Sequence, residues 1–140
     1  MRGLKLSQEN LGLSSFLERI TRTQVKDCFT EDDTIYVVVE PGQLGKVVGK
    51  GGSNIHRIQE ELHKRVRVIE FREHLADFIK NIIYPLTVQE IVEESGSGSV
   101  IIRDSNKKTK SLLIGREGKN LKVLNRAIKR FFKIEGVKII

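Results

Sequence analysis

The stretch that decides the fold reads VVGKGGSNI at residues 47–55, and it returns in altered form as LIGREGKNL at residues 113–121. Both copies have two glycines that bracket two other residues, with aliphatic residues in front of the loop. The same offset pairs Ile58 with Leu124, so the apolar positions that follow each loop repeat as well. A match of this kind indicates that the chain contains two copies of one structural module.

The first copy predicts the element order αββααβ. Apolar residues at helical spacing predict helices, and runs of β-branched residues bounded by turn residues predict strands. The predicted elements, in chain order, are a helix over 7–21, strands over 24–30 and 34–40, helices over 44–48 and 53–64, and a strand over 67–71. The two first strands are expected to form an antiparallel hairpin.

The second copy repeats this order, with a turn over 95–98 between its first two strands. Its predicted elements are a helix over 73–84, strands over 87–93 and 99–103, a short helix that ends at Ile114 after the polar segment 104–110, a helix over 119–132, and a strand over 137–140. We therefore expect an α+β protein of two domains, residues 1–72 and 73–140. Each should have a three-stranded sheet with helices packed on one face.

The glycine loops at 49–52 and 115–118 have a physical use in binding a nucleic-acid backbone. Glycine permits positive φ, and without a Cβ it lets a phosphate approach the main chain closely. A helix starts directly after each loop, so its unpaired N–H groups and positive dipole end face the same anion. Lys50, Arg116 and Lys119 add cationic side chains. A plain helix cap is the competing interpretation of either loop taken alone.

Segments 47–58 and 113–124 resemble the signature of type II KH domains, and their almost linker-free tandem resembles the paired KH region of NusA-type transcription factors. Because the resemblance covers essentially the whole chain, the sequence is most similar to the short archaeal NusA-like family. This resemblance implies that each groove binds about four single-stranded nucleotides, with the loop on the RNA backbone and the bases on an aliphatic floor.

The resemblance also implies which residues form the two RNA sites. The residues expected to contact RNA are Gly49, Lys50, Gly51, Gly52, Ser53 and Asn54 in the first site, and Gly115, Arg116, Glu117, Gly118, Lys119 and Asn120 in the second. The residues expected to form the groove floors are Val48, Ile55, Ile58 and Val68, and Ile114, Leu121 and Leu124. Core packing is the competing interpretation for these aliphatics, because the apolar stripe of a helix usually faces a core.

The charge of the chain favours a polyanionic partner. The formal net charge is +7, with 12 basic and 10 acidic residues over 1–72 and 13 and 8 over 73–140. Glu117 departs from an ideal anion site, since a carboxylate repels phosphate. The basic residues of the same module that offset it are Lys107, Lys108, Lys110, Arg116, Lys119, Lys122, Arg126, Lys129 and Arg130. Part of this set is expected to be ordinary solvated helix surface.

Several other classes of function find no support in the sequence. The single Cys28 cannot form an internal disulfide, and no run of apolar residues approaches a membrane span, so we expect a cytoplasmic protein without membrane contact. His56 and His63 lack a third ligand, and the segment 45–50 lacks the spacing of a P-loop. We expect no catalytic residues, no metal, no cofactor and no small-molecule substrate.

The sequence therefore predicts a non-enzymatic RNA-binding protein. The NusA resemblance implies a transcription elongation, termination or antitermination factor that grips nascent RNA, with RNA polymerase as a further partner. KH modules also occur in ribosome-associated and ribosome-assembly proteins, so that role is one alternative. A protein-interaction adaptor with degenerate KH grooves is another, and Glu117 is the residue that favours it.

Overall fold

The structure is a computed structural model that describes residues 8–94 and 98–140, with backbone only for residues 8–11. Residues 95–97 of the predicted turn, and the start of the first predicted helix at Ser7, lie outside the described residues. The chain divides into two compact units, and the division falls between Arg72 and Glu73. Each unit has the element order αββααβ and one three-stranded sheet, as the sequence predicts for an α+β protein.

The first unit contains three helices and three strands. In chain order they are α1 (Gln8–Thr21), β1 (Asp27–Glu31), β2 (Thr34–Val39), α2 (Leu44–Val48), α3 (Ser53–Leu62) and β3 (Arg65–Glu70). The sheet order is β1-β2-β3, in which β1 and β2 pair antiparallel, with Cys28 opposite Val37. β2 and β3 pair in parallel, with Val37 opposite Val68. α2 and α3 form the crossover that a parallel pair requires.

Strand β2 is buried on both faces. On one face Ile35, Val37 and Val39 join a core that also contains Leu17 of α1, Val47 of α2 and Ile58 of α3. The alternate residues of the strand, Tyr36 and Val38, are buried as well, and the Tyr36 ring stacks on Phe29 with 5.2 Å between ring centroids. This burial explains why residues 35–39 are a continuous apolar run instead of an alternating pattern.

The second unit repeats the arrangement. Its elements are α4 (Leu75–Ile83), β4 (Glu90–Glu93), β5 (Ser99–Arg103), α5 (Lys107–Ile114), α6 (Lys119–Lys129) and β6 (Gly136–Ile139). The sheet order is β4-β5-β6, in which Ile102 lies opposite Ile91 in the antiparallel pair and opposite Ile139 in the parallel pair. Phe78 of α4 is fully buried, and its ring packs edge-on against Phe131 at 5.8 Å.

Side-chain hydrogen bonds shift several predicted boundaries. β4 begins at Glu90 and not at Thr87, because the Gln89 N–H donates to the buried Asp104 carboxylate at 3.1 Å instead of to a strand. Part of the predicted polar segment 104–110 is helical, since the Asn106 side chain accepts a hydrogen bond from the Thr109 N–H at 3.0 Å and caps α5.

Backbone conformation and pairing explain three more differences. β1 begins at Asp27, later than the predicted Gln24, because the Val25 N–H donates to the Glu18 carboxylate at 2.8 Å instead of to a neighbouring strand. α3 ends at Leu62 because His63 adopts a left-handed conformation with φ 52°. β3 starts earlier than predicted, at Arg65, whose N–H donates to the Asp33 carbonyl at 2.8 Å.

Candidate nucleic-acid interface

The two glycine loops have nearly the same backbone conformation although their sequences differ. Gly49 has φ 82° and ψ 164°, and Gly115 has φ 77° and ψ 171°. Two residues later, Gly51 has φ 63° and ψ 22°, and Glu117 has φ 57° and ψ 26°. Each loop is a single tight turn that leads directly into the helix behind it. The second loop therefore has the same backbone geometry as the first, although Glu117 replaces the glycine at the position of Gly51.

The first glycine of each loop is required by a close contact. A Cβ built on Gly49 would lie 2.8 Å from the backbone N of Asn54, and one built on Gly115 would lie 2.8 Å from the backbone N of Asn120. Contacts this short displace backbone atoms, and the conformation at both positions is one that only glycine adopts readily. These two glycines let the loop fold back on the start of the following helix.

An asparagine side chain links the two helices that flank each loop. The Asn54 Nδ2 donates to the carbonyl of Lys46 in α2 at 3.0 Å, and the Asn120 Nδ2 donates to the carbonyl of Leu112 in α5 at 2.8 Å. Each bond ties the first turn of the later helix to the last turns of the earlier one. Both asparagines therefore have a structural role that the sequence did not reveal, and their contact with RNA stays a prediction.

The loops are accessible to a ligand. Lys50, Gly51 and Ser53 are exposed in the first loop, and Arg116 and Glu117 are exposed in the second. α3 and α6 begin immediately behind these residues, with left-handed glycines Gly52 and Gly118 in front of their first turns. The Ser53 N–H donates to the Lys50 carbonyl and the Lys119 N–H donates to the Arg116 carbonyl, so the first N–H of each helix is bonded within its loop. What each loop exposes is a cationic side chain in front of the positive end of a helix dipole.

The residues predicted for the groove floors have different environments. Ile58 and Leu124 are 0% and 1% exposed, so they belong to the cores. Buried side chains cannot present a surface to a base in this conformation, which corrects the expectation that these two line a groove. The remaining floor candidates are half-buried or exposed: Val48, Ile55, Val68 and Leu121 are half-buried, and Ile114 is exposed.

Two exposed aliphatic residues beside the loops were not predicted. Leu44 at the start of α2 is 39% exposed, and Leu112 in α5 is 46% exposed. The sequence places each of them on a short helix that ends at a loop, but it does not show that they are exposed. A helix of five or eight residues is too short for its apolar spacing to distinguish an exposed leucine from a buried one.

Charged side chains on α3 and β3 of the first site contact neighbouring residues. On α3, Arg57 forms an ion pair with Glu61 at 3.4 Å, and the His56 Nε2 lies 3.1 Å from a carboxylate oxygen of Glu60. On β3, next to Val68, burial lowers the pKa of Arg67, while the neighbouring Tyr36 acts in the opposite direction. An arginine remains protonated at neutral pH in such a setting.

Comparison with known proteins adds the family to this geometry. The family model of the KH domain matches residues 14–84, which span the first unit from α1 onward and α4. The chain is 30% identical over 141 residues to the probable transcription termination protein NusA of Methanocaldococcus jannaschii, an alignment that covers 100% of this chain and 77% of that relative.

The chain belongs to the archaeal NusA-like family of KH domain proteins. A second relative, the probable transcription termination protein NusA of Methanococcus vannielii, is 32% identical to this NusA-like chain over 96% of its length and 77% of the relative. The crystal structure of APE1850 superposes with a TM-score of 0.79 at 27% identity, over 96% of the NusA-like chain and 100% of that structure. Membership in the KH family places the chain among RNA-binding proteins.

The described part of this NusA-like protein gives no sign of two other kinds of site. Among residues 8–94 and 98–140, no three or more His, Cys, Asp or Glu side chains are grouped so that they could hold a metal ion. Within the same residues, no helix has the length and apolar character needed to cross a membrane.

Proposed function

We propose that this protein binds single-stranded RNA through two KH domains, residues 1–72 and 73–140, and acts as a transcription elongation, termination or antitermination factor. The observation that carries the proposal is the shared backbone of the two loops, each exposed and each directly followed by a helix start. A conformation preserved while the residues change indicates that the backbone itself is the binding element.

The chemistry of this element suits the RNA backbone. Positive-φ residues and the absence of a side chain at Gly51 leave room for a phosphate against the main chain. The positive dipole ends of α3 and α6 favour a negative charge at the same place. Half-buried aliphatics such as Val48 and Ile55 provide apolar surface for bases beside the loop. Each domain would hold a few nucleotides, and two covalently joined sites would bind RNA more tightly than either alone.

The role in transcription is supported by the names of the relatives, which are called probable transcription termination proteins. We infer that nascent RNA is the ligand and that RNA polymerase is a partner. We further infer that the protein catalyses no reaction, because the matching family model is a KH domain and the relatives are called probable transcription termination proteins. Co-purification with RNA polymerase that survives nuclease treatment would support the inferred partner, and association with ribosomal subunits alone would contradict it.

A protein-interaction adaptor is the second candidate, and Glu117 favours it. This exposed carboxylate stands where the first loop has Gly51, and it repels phosphate. An adaptor would bind protein partners without RNA. The two candidates differ in a direct measurement, because RNA binding depends on salt and on the loop cations.

The decisive experiment measures affinity for a single-stranded RNA of about ten nucleotides over a salt series. We expect log affinity to fall with log salt by about 0.7 for each phosphate bound. The variant Lys50→Asp with Gly51→Asp should weaken binding strongly while the domain stays folded, because only the exposed loop changes. Lys80→Asp on α4 is the control for Lys50→Asp, since it reverses one exposed lysine outside the loops. A flat salt response, or equal effects of Lys50→Asp and Lys80→Asp, would refute the RNA proposal.

A further inference from the structure

The two loops share a conformation but present different chemical groups. Lys50 corresponds to Arg116, so each loop keeps one cation. Gly51 corresponds to Glu117, so the second loop adds an anion at a matching backbone position. On the helix in front of the loop, Lys46 corresponds to Leu112, which replaces an exposed cation by an exposed aliphatic side chain.

The side chain of Glu117 occupies the place where the first loop is open. A Cβ built on Gly51 would have no described atom within 4 Å apart from its chain neighbours. A side chain at this position therefore points away from the protein, into the space in front of the loop. Because the loop backbone is preserved and Glu117 is exposed, its side chain starts into the same open space, in front of the loop where a phosphate would approach the main chain.

Glu117 also holds this position at a cost. Its φ of 57° lies in the left-handed region, which glycine adopts without steric strain and which residues other than Gly, Asn and Asp rarely adopt. Glycine at the same point of the first loop adopts the same conformation without that cost.

The exposed aliphatic residues are placed differently beside the two loops, since the first has Leu44, 39% exposed at the start of α2, where the second has Lys110. Leu112 and Ile114 are 46% and 37% exposed on α5, whereas the matching residues of α2 are the exposed Lys46 and the half-buried Val48. Exposed aliphatic surface gains free energy from contact with the face of a base and nothing from a phosphate. The second site thus has two exposed aliphatic residues against one at the first, and it also has Lys119 where the first has Ser53. What its loop adds against a phosphate is the Glu117 carboxylate.

We propose that Glu117 is a specificity-determining residue that keeps phosphate out of the second loop, so that the first loop holds the RNA backbone and the second site binds bases on Leu112 and Ile114. This inference rests on the proposed RNA-binding function. Its ligand class is single-stranded RNA with unstacked bases, and the two sites differ in which part of the nucleotide they bind.

A reciprocal exchange tests the inference with each loop as the control for the other. Glu117→Gly gives the second loop the glycine of the first, and Gly51→Glu does the reverse. Glu117→Gln removes the charge and keeps a side chain of the same length. The probes are a single-stranded RNA and an abasic phosphodiester oligomer of equal length, each measured over a salt series, with thermal unfolding to confirm that every variant is folded.

We expect Glu117→Gly and Glu117→Gln to raise the affinity for the abasic oligomer by about two- to fivefold, the range of one exposed ion pair. The salt dependence should steepen by about 0.7, which corresponds to one additional phosphate. Gly51→Glu should weaken both probes. Leu112→Ser should weaken the RNA and leave the abasic oligomer unchanged, because it removes apolar surface only.

Two results would overturn the inference. Unchanged binding of the abasic oligomer by both Glu117 variants would mean that the carboxylate does not control phosphate access. Weaker RNA binding by Glu117→Gln would mean that the carboxylate itself contacts RNA. Failure of the underlying function would look different, because the unmodified protein would then bind neither probe in a salt-dependent way.

Discussion

Replacing Gly49 by alanine should destabilise the first unit far more than replacing Gly51, although the two glycines stand two residues apart in one loop. At Gly49 the backbone has φ 82° and ψ 164°, a region that is essentially limited to glycine and costs other residues about 1–3 kcal/mol. The new Cβ would also lie 2.8 Å from the Asn54 backbone N and 2.8 Å from the Ser53 Oγ. With this overlap we expect a loss of about 2–4 kcal/mol in the free energy of unfolding.

Gly51→Ala is the matched comparison. Its φ of 63° and ψ of 22° are left-handed, which costs alanine about 1–2 kcal/mol, and a Cβ there meets open space. Alanine also lowers the entropy of the unfolded chain, which returns about 0.4–1 kcal/mol where the native conformation is tolerated. We therefore expect a net loss between about 0 and 1.6 kcal/mol, less than that of Gly49→Ala.

Urea denaturation followed by circular dichroism, with hydrogen exchange of the loop amides, measures both variants. Hydrogen exchange is needed because the two compact units do not have to unfold together. If Gly49→Ala and Gly51→Ala cost the same, the close packing of the loop on the start of α3 would be refuted. Gly115→Ala offers a repeat of the experiment in the second unit, where the Cβ would lie 2.8 Å from the Asn120 backbone N.

Three further predictions concern the support of the two loops. Asn54→Ala and Asn120→Ala should each cost about 0.5–1.5 kcal/mol, the value of one hydrogen bond, and should speed hydrogen exchange in the adjacent loop only. Asp104→Ala should cost about 1–3 kcal/mol in urea denaturation, because it leaves two backbone N–H groups without their acceptor. Ile58→Ala and Leu124→Ala should lower the stability of their own unit by about 2–5 kcal/mol, as core truncations do. A loss of RNA affinity without a loss of stability would instead mean that these two side chains line the grooves.

Most of the element order was predictable because its signals are local. The β-branched run 34–39, the glycines of the loops and the apolar spacing after them each depend on a few neighbouring residues. Boundaries were predicted less well where a side chain captures a backbone group, as Asp104 captures the N–H of Gln89. Such a bond joins residues that are distant in sequence, so no local sequence pattern indicates it.

The candidate site was predictable in position but not in detail. The repeat indicated both loops, and the structure gives them one shared backbone conformation. The apolar stripe of a helix, however, shows only that its residues share a face. It does not show whether that face meets a core, as at Ile58, or stays partly exposed, as at Ile55.

The amino-acid sequence by itself determined the duplication, the α+β class and the two glycine loops, because spacing and positive-φ glycines are properties of adjacent residues. Only the tertiary structure decided that Asn54 and Asn120 brace the loops, and that Glu117 takes the conformation of Gly51. The physical reason is that these features depend on the relative position of the helices before and after each loop. The packing of both helices against the sheet fixes that position, and it brings residues that are distant in sequence into contact.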